Sequence, residues 1–228
     1  MKVRTLHSWP ATADEAEAVQ DRLRPLLDLT GSGPAEVGTV AGLDVSYEEG
    51  TDRLAAAVVV LDAATLRPVE ESVVIGTAAF PYVPGLFAFR ELPTLVEALE
   101  RLTTVPDLLV CDGHGLAHPR RFGLACHLGV LTGLPSLGVG KTRLVGSYDP
   151  PGEPRGSMSD LVDAGEVVGR VLRTQDGVRP VFVSAGHRID LDTACRHVLA
   201  LAPDYRLPET TRRADRLSRQ ALAGPLPA

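Results

Sequence analysis

Cysteine is scarce in this 228-residue sequence, and no apolar run is long. The three cysteines are Cys111, Cys126 and Cys195, and no C-x-x-C pair occurs. Widely spaced cysteines flanked by apolar residues indicate buried, reduced thiols rather than disulfides or a zinc site. No apolar run reaches the roughly 18–20 residues that a membrane helix requires, and the N-terminus lacks the apolar core of a signal peptide. These absences predict a cytoplasmic protein without a membrane partner.

Lysine is also rare, since only Lys2 and Lys141 occur among the 23 lysine and arginine residues. An arginine-rich chain keeps an internal lysine where a compact ammonium is needed and a planar guanidinium does not serve. The formal net charge of −6 at pH 7 argues against a protein that coats nucleic acid by bulk positive charge. It leaves open a metal-dependent nuclease, whose acids would be offset by bound cations.

Length and composition predict a single domain over residues 1–228, with the last few residues disordered. With 44% hydrophobic residues, the chain can bury one good core. Three short runs rich in Val, Ala and Leu are joined by polar turns, which is typical of an antiparallel meander. These predicted strands cover residues 37–46, 54–62 and 69–76.

Beyond the meander the pattern changes to alternating helices and strands, which implies parallel strands with crossover helices. Helices are predicted to begin at Pro93, at Pro119 and near Asp190, a suitable N-cap. An arginine-rich segment at 206–220 is predicted as a solvated helix. The predicted strands are 107–112 and 135–139, followed by a hairpin of 166–173 with 179–184.

A three-strand meander followed by βαβ units is the element order of a ribonuclease H-like fold. The predicted class is therefore α/β, with a mixed central sheet in which an antiparallel three-strand meander is followed by parallel strands, flanked by helices. In this order the first strand lies beside the first strand after the meander. Asp44 and Asp112 would then lie together on adjacent parallel strands.

Three acids stand in settings unlike ordinary surface charge. Asp44 and Asp112 belong to apolar runs, and Glu91 closes the segment that starts at Pro81. Buried carboxylates are unfavourable unless they are paired or bind a cation, and oxygen-only ligands favour Mg²⁺ or Mn²⁺. Each acid taken alone could instead be a strand-end residue that is hydrogen-bonded to the backbone. The set of three favours a metal site.

Two loops have compositions that suit a ligand. In Asp112-Gly-His-Gly, Gly113 and Gly115 flank His114 and would let a ligand approach the backbone closely; a simple glycine turn is the alternative. In Pro81-Tyr-Val-Pro-Gly85, Tyr82 stands on a stiff loop. A rigid aromatic wedge can fill the gap left by an extruded base, although a loop tyrosine packed on the core would have the same sequence.

Two basic residues complete the candidates. Gly138-Val-Gly-Lys-Thr142 is not a phosphate-binding P-loop, because the motif would require glycine where Pro135 stands. Lys141 is better interpreted as a lysine that binds phosphate or orients water near the metal. His187 lies between a strand and a helix start, where functional groups are common, although a loop histidine can be merely solvated.

These segments together resemble the endonuclease V family of deoxyinosine-directed DNA repair nucleases. The resemblance runs from about residue 10 to residue 215 and is carried by VAGLDVSY, PYVPGLFAFRE, DGHGLAHPRRFGLACHLGVLTGLPSLGVGKTRL, SAGHRIDL and YRLPETTRRAD. It implies a ribonuclease H-like fold and Mg²⁺-dependent hydrolysis, with Mn²⁺ as a substitute. The bond cleaved would be the second phosphodiester 3′ to a deaminated purine, above all hypoxanthine, which leaves 3′-hydroxyl and 5′-phosphate ends.

The resemblance also implies roles for particular residues. Asp44 and Asp112 would be metal ligands, and Glu91 would be the third acid, acting directly or through water. Lys141 and His187 would lie beside the scissile phosphate. The wedge would be Tyr82 within Pro81, Val83, Pro84 and Gly85, and the pocket for the extruded base would be lined by Gly113, His114 and Gly115. The chain departs from the family pattern at Ala185, where proline is expected, and at Asp190, where serine is usual.

Three other functions fit parts of the pattern. An inosine-directed ribonuclease would share the site and differ in its tolerance of the 2′-hydroxyl. A lesion-binding module without cleavage is disfavoured because all three acids and Lys141 are present. A small-molecule phosphohydrolase is disfavoured by the tyrosine wedge and by arginine pairs such as Arg120-Arg121 and Arg212-Arg213. The expected partners are DNA with deaminated bases and inosine-containing RNA, bound by a monomer; the number of metal ions and the water-activating base stay open.

Overall fold

The computed structural model of the protein describes residues 1–224; the expectation of disorder in the last few residues concerns 225–228, which lie outside that range. The strands are β1 (Thr39–Tyr47), β2 (Arg53–Asp62), β3 (Pro68–Thr77), β4 (Leu108–Asp112), β5 (Ser136–Gly140), β6 (Met158–Asp163), β7 (Glu166–Leu172) and β8 (Val181–His187). The helices are α1 (Ala13–Leu23), α2 (Ala88–Glu100), α3 (Leu124–Thr132), α4 (Leu191–Leu201) and α5 (Glu209–Ala223), with a 3₁₀ turn at Arg24–Leu26.

The eight strands form one mixed sheet in the order β3-β2-β1-β4-β5-β8-β7-β6. β1, β2 and β3 are an antiparallel meander, and β4 and β5 continue from β1 in parallel. β8 is antiparallel to β5, and β7 and β6 extend the sheet as antiparallel neighbours. The predicted meander, parallel strands and hairpin are therefore confirmed, while β6 at the sheet edge was not predicted.

Two helices begin at other residues than the sequence predicted. α2 begins at Ala88 rather than at Pro93, which stands sixth in the helix, where proline removes one backbone hydrogen bond. The earlier start brings Glu91 into the first turn. α3 begins at Leu124 rather than at Pro119, because Arg121 has a left-handed backbone with φ of 54° that cannot continue a helix.

Helices cover both faces of the sheet. Alternating strand residues such as Ala41 and Leu43 pack under α2 and α3, whereas Val40 packs with α4 and α5 on the other face. This period of two is a consequence of strand geometry. Asp190 caps α4 by accepting a hydrogen bond from the Thr193 backbone N–H at 2.7 Å. No helix within residues 1–224 is long and apolar enough to cross a membrane.

The arginine-rich C-terminal segment is a helix, but the prediction that it is solvated was wrong. α5 packs against β1 and β2 through Thr210, Ala214 and Ser218, which are all buried. These residues recur every fourth position and so lie on one helical face. Gly42 in β1 permits the close approach, because a Cβ atom there would overlap the backbone of Thr210.

We expect Gly42→Ala to lower the free energy of unfolding by about 1–3 kcal/mol, because a methyl group forced into this contact must displace α5 from the sheet. Urea unfolding followed by circular dichroism measures the change. Gly31→Ala is the matched control, since a Cβ atom there meets only one atom, at 4.0 Å. Equal stability of the Gly42 variant and the wild type would show that α5 does not depend on this contact.

Candidate active site

Asp44 and Asp112 lie side by side at adjacent strands, as the sequence predicted. The parallel register pairs Leu43 with Cys111, so that the next residue on each strand is an aspartate. Both carboxyl groups line a cavity of about 480 Å³. Asp44 is 6% exposed, and the strand alternation turns it toward α5.

A third aspartate reaches the same cavity from α5. Asp215 lines it together with Lys141 and Arg219, and Arg219 Nε lies 3.0 Å from Asp215 Oδ1. Asp215 was not predicted as a site residue, because the arginine-rich segment was expected to be a solvated helix. The small residues at 210, 214 and 218 were the available signal, since they mark the buried face and Asp215 adjoins it on the helix.

Lys141 follows β5 and contacts Asp112 through an ion pair between its Nζ and Asp112 Oδ2. Burial works against the charged ammonium, but the carboxylates of Asp112 and Asp44 outweigh it and raise the pKa of Lys141. The lysine is therefore a permanent cation in the cavity, half-buried beside two acids.

Few favourable interactions offset the burial of the Asp44 carboxyl group. Burial, the hydrogen-bonded neighbour Asp112 and its charge raise the pKa of Asp44 to about 9. The Ser218 hydroxyl lies 3.2 Å from Asp44 Oδ2, at the edge of hydrogen-bonding distance. A carboxyl group in this state favours either a proton or a further cation nearby.

Glu91 lies behind Asp112, on the opposite side from α5. It is 7% exposed, and burial together with the charge of Asp112 raises the pKa of Glu91 to about 8. The Tyr47 hydroxyl lies 3.4 Å from Glu91 Oε1. Glu91 does not line the cavity of Asp44; it lines a second one, of about 340 Å³, which also contains Asp112.

The second cavity contains most of the residues predicted to bind a base. Its wall includes Tyr82, Pro84, Gly85, Gly113 and His114, with Phe87, His118, Leu124, Arg143 and Leu144 among the further lining residues. The two cavities have only Asp112 in common.

Tyr82 is an exposed residue of the second cavity. Its side chain is 70% exposed and stands edge-on to Phe87, with 5.4 Å between the ring centroids. The loop tyrosine is thus not packed on the core. Pro81 is exposed outside the cavity, while Val83 packs against a hydrophobic cluster that includes Phe80.

The two glycines in the loop after β4 have different surroundings. Gly113 lines the cavity with φ of 142°, a conformation that favours glycine. Gly115 does not line it: a Cβ atom there would overlap the Ala185 carbonyl of β8, and its N–H donates to Ser184 Oγ at 2.8 Å. The predicted place of Gly115 in a base pocket stays a prediction, while in this structure the loop turns onto β8 at that residue.

His114 is held between two loops. Its Nε2 lies 3.1 Å from the Thr142 carbonyl, and its ring occupies the space that a Cβ atom at Gly140 would need. Burial lowers the pKa of His114, so the ring is neutral at pH 7. It positions the segment that carries Lys141 as well as lining the cavity.

His187 does not belong to the acid cluster. It ends β8 and pairs with Ser136 at the start of β5, whereas Lys141 follows the end of β5. The antiparallel pairing therefore places His187 at the opposite end of the sheet. There its Nδ1 accepts a hydrogen bond from the Asp28 N–H at 3.1 Å, so the expected role beside the phosphate is not supported.

The arginine pairs noted in the sequence are bound to acids within the protein. Arg120 pairs with Glu17 and Asp21, and Arg121 pairs with Asp163 and Glu166.

Arg212 and Arg213 both pair with Glu209 in the first turn of α5. Together with the pairing of Arg120 and Arg121, this removes the argument for a polymeric substrate that rested on these arginines. Lys141 and Arg219 line the first cavity and Arg143 lines the second, so these cations are placed to meet a ligand.

The acids suit a hard divalent cation by their chemistry. Within residues 1–224, no three His, Cys, Asp or Glu side chains are already arranged around one metal position. Two adjoining carboxyl groups with a third acid in the same cavity nevertheless form an oxygen-only donor set. A cation bound there would compete with Lys141 for Asp112.

The fold and the acidic cavity together define the structural class of the protein. A mixed sheet with an antiparallel meander, followed by parallel strands that bear adjoining aspartates, is a ribonuclease H-like fold. The crystal structure of the Aquifex aeolicus (A. aeolicus) Argonaute matches 88% of this chain and 31% of its own, with a TM-score of 0.55 at 16% identity. That likeness supports the fold alone.

Residues 21–216 match the family model described as Endonuclease V. The chain belongs to the endonuclease V family and is therefore a nuclease. Endonuclease V of Streptomyces avermitilis is 59% identical over 221 residues, 96% of each chain. Its crystal structure superposes with a TM-score of 0.91 at 58% identity and covers 98% of both chains.

A crystal structure of Ciona intestinalis endonuclease V contains a 24mer DNA with an inosine followed by a ribo-adenosine. It superposes with a TM-score of 0.80 at 26% identity, covering 92% of this chain and 97% of that one. The similarity therefore extends through the whole sheet and its helices.

Asp44→Asn should flatten the dependence of stability on pH when divalent metal is absent. Asp44 has a pKa near 4 in an unfolded chain and about 9 in the folded protein. The folded state thus binds a proton that the unfolded state lacks, and the wild type loses stability as the pH rises between these values.

We expect the free energy of unfolding in EDTA to fall more steeply in the wild type than in the variant between about pH 5 and pH 8. The difference in slope is at most about 1.4 kcal/mol per pH unit for one group. Urea titrations at four pH values measure both slopes, and Glu91 contributes to each of them equally. Parallel slopes would mean that Asp44 is not perturbed by its surroundings.

Proposed function

We propose that this protein is a DNA repair endonuclease that recognises deaminated bases, deoxyinosine above all. It hydrolyses the second phosphodiester bond 3′ to the lesion with Mg²⁺, or Mn²⁺ in its place, and leaves 3′-hydroxyl and 5′-phosphate ends. The observation that carries the proposal is the position of Asp112, which lines both the acidic cavity and the cavity beneath Tyr82. Base capture and phosphate chemistry thereby meet at one carboxylate.

The second cavity suits an extruded base. Its lining combines apolar and backbone surface, including Leu124 and Gly113, with the polar rings of two histidines. Enzymes that act on a base in a duplex rotate it into such a pocket. Tyr82, exposed at the rim, would occupy the gap left in the helix. The complex of the Ciona relative with inosine-containing DNA supports this reading.

The acidic cavity suits the phosphate. Asp44, Asp112 and Asp215 would hold the divalent cation, which supplies Lewis-acid stabilisation of negative charge on the phosphate. The Lys141 ammonium, already in this cavity, would stabilise charge on a non-bridging oxygen once Asp112 binds the cation. Glu91, with its pKa raised to about 8, would hold and orient water on the side of the base cavity.

The first test is incubation with Mg²⁺ and end-labelled duplex DNA that carries one deoxyinosine, beside the same duplex with deoxyguanosine. We expect a single nick at the second phosphodiester 3′ to the lesion, with a 5′-phosphate end and no reaction in EDTA. Cleavage of both duplexes alike would overturn lesion recognition, and binding without cleavage would favour a recognition module.

A second candidate function is cleavage of inosine-containing RNA. The ribo-adenosine that follows inosine in the DNA bound by the Ciona relative favours it, because a ribose is accommodated next to the lesion in that complex. A matched RNA strand in the same assay separates the two functions. Cleavage of RNA alone would transfer the proposal to turnover of inosine-containing RNA.

Asp112→Asn should reduce cleavage of the inosine duplex by at least roughly a thousandfold, because it weakens cation binding and removes the partner of Lys141. Binding of the same duplex in Ca²⁺ should change less than about threefold, as measured by fluorescence anisotropy. Asp204→Asn, at an exposed acid, is the control and should cleave at the wild-type rate. Full activity of the Asp112 variant would overturn the metal assignment.

Tyr82→Ala should weaken binding of inosine DNA roughly tenfold or more, since stacking of an aromatic side chain on bases contributes about 1–3 kcal/mol. Tyr82→Phe keeps the ring and should bind as the wild type does. Mn²⁺ affinity should be the same in all three proteins. If the alanine variant retained full discrimination between inosine and guanosine duplexes, the wedge role would be wrong.

A further inference from the structure

The buried face of α5 brings a hydroxyl pair to Asp44. Ser218 is completely buried, and its Oγ lies 2.7 Å from Ser46 Oγ on β1. The same Oγ lies 3.2 Å from Asp44 Oδ2 and 2.9 Å from the Asp215 carbonyl. One side chain thus touches the strand, the helix backbone and the acid.

A serine hydroxyl has one hydrogen and two lone pairs, which limits how these contacts can be made together. Asp44 and the Asp215 carbonyl are both acceptors, so Ser46 must donate to Ser218 if Ser218 donates to either of them. Ser218 is the only side-chain hydrogen-bond donor to Asp44 found within residues 1–224. When Ser218 donates to Asp44, this hydroxyl and the neighbouring Asp112 together orient the Asp44 carboxyl group.

We propose that Ser218, supported by Ser46, is a positioning residue that orients the Asp44 carboxylate for the divalent cation. The inference rests on the proposed metal-dependent function and extends it to a residue that touches neither cation nor substrate. Because Ser218 lies on α5 three residues after Asp215 and contacts Asp44, it links the helix that carries Asp215 to the strand that carries Asp44. Partners that orient a metal ligand typically change metal affinity 10- to 100-fold when they are removed.

The test measures Mn²⁺ binding directly, by electron paramagnetic resonance of free Mn²⁺ in titrations without DNA. Ser218→Ala should raise the Mn²⁺ dissociation constant roughly tenfold or more. Ser46→Ala leaves Ser218 in place and should raise it less. Ser136→Ala is the matched control: its hydroxyl is also completely buried and donates to the Ala125 carbonyl at 2.7 Å, at the other end of β5.

Kinetics separate positioning from a merely structural role. In Ser218→Ala the Mg²⁺ concentration for half-maximal cleavage should rise with the Mn²⁺ dissociation constant, while the KM for inosine DNA at saturating Mg²⁺ stays within about twofold. A loss of unfolding temperature equal to that of Ser136→Ala, with unchanged Mn²⁺ affinity, would overturn the positioning role and leave the metal site intact.

Two further outcomes are decisive. A wild type that binds no Mn²⁺ would overturn the metal requirement itself, and the role of Ser218 with it. If Ser218→Ala fails to fold, Ser46→Ala decides, since it removes the supporting donor at a half-buried position in the wall of the acidic cavity. A dissociation constant unchanged in Ser46→Ala would then count against the hydroxyl pair.

Discussion

The structure is organised around two aspartates that are held against each other. The parallel pairing of β1 and β4 leaves Asp44 and Asp112 as neighbours, and their proximity in a buried setting raises the pKa of Asp44 to about 9. Such a pair opposes folding unless positive charge or a proton compensates it. The fold supplies one ammonium, from Lys141, and the remaining negative charge is offset by a proton or by a bound cation.

The central position of α5 follows from the same constraint. A helix that completes the acidic cavity must approach β1 closely, and the missing Cβ of Gly42 allows its backbone to do so. Small side chains at every fourth position then face the sheet, while Asp215 and Arg219 reach the cavity. The packing that stabilises this part of the fold thus also brings the third acid into the cavity, so the stability of α5 and the assembly of the acidic cavity cannot be separated here.

Much of the fold was predictable, because strands can be recognised from the pattern of their apolar residues and turns from their composition. The adjacency of Asp44 and Asp112 followed from element order alone. Strand pairing between distant segments is not visible in one sequence, so the position of His187 at the opposite end of β5 from Lys141 could not be predicted. Asp215 was missed for a different reason: arginine dominates the composition of α5, whereas its packing depends on three small residues. Gly115 shows that a glycine in a loop can be required for close packing between two segments, and not only for the approach of a ligand.

Asp112 lines both cavities, and this shared position limits how a substrate can bind. Under the proposed function, a base in the cavity beneath Tyr82 would lie beside Glu91 and Asp112, on one side of the sheet edge. The backbone attached to that base would then have to cross the edge toward Asp44 and Lys141. A base that stays stacked in the duplex does not draw the backbone across in this way. Under the proposed function, selectivity for bases that leave the duplex easily would follow from the distance that the DNA backbone must cross between the two cavities.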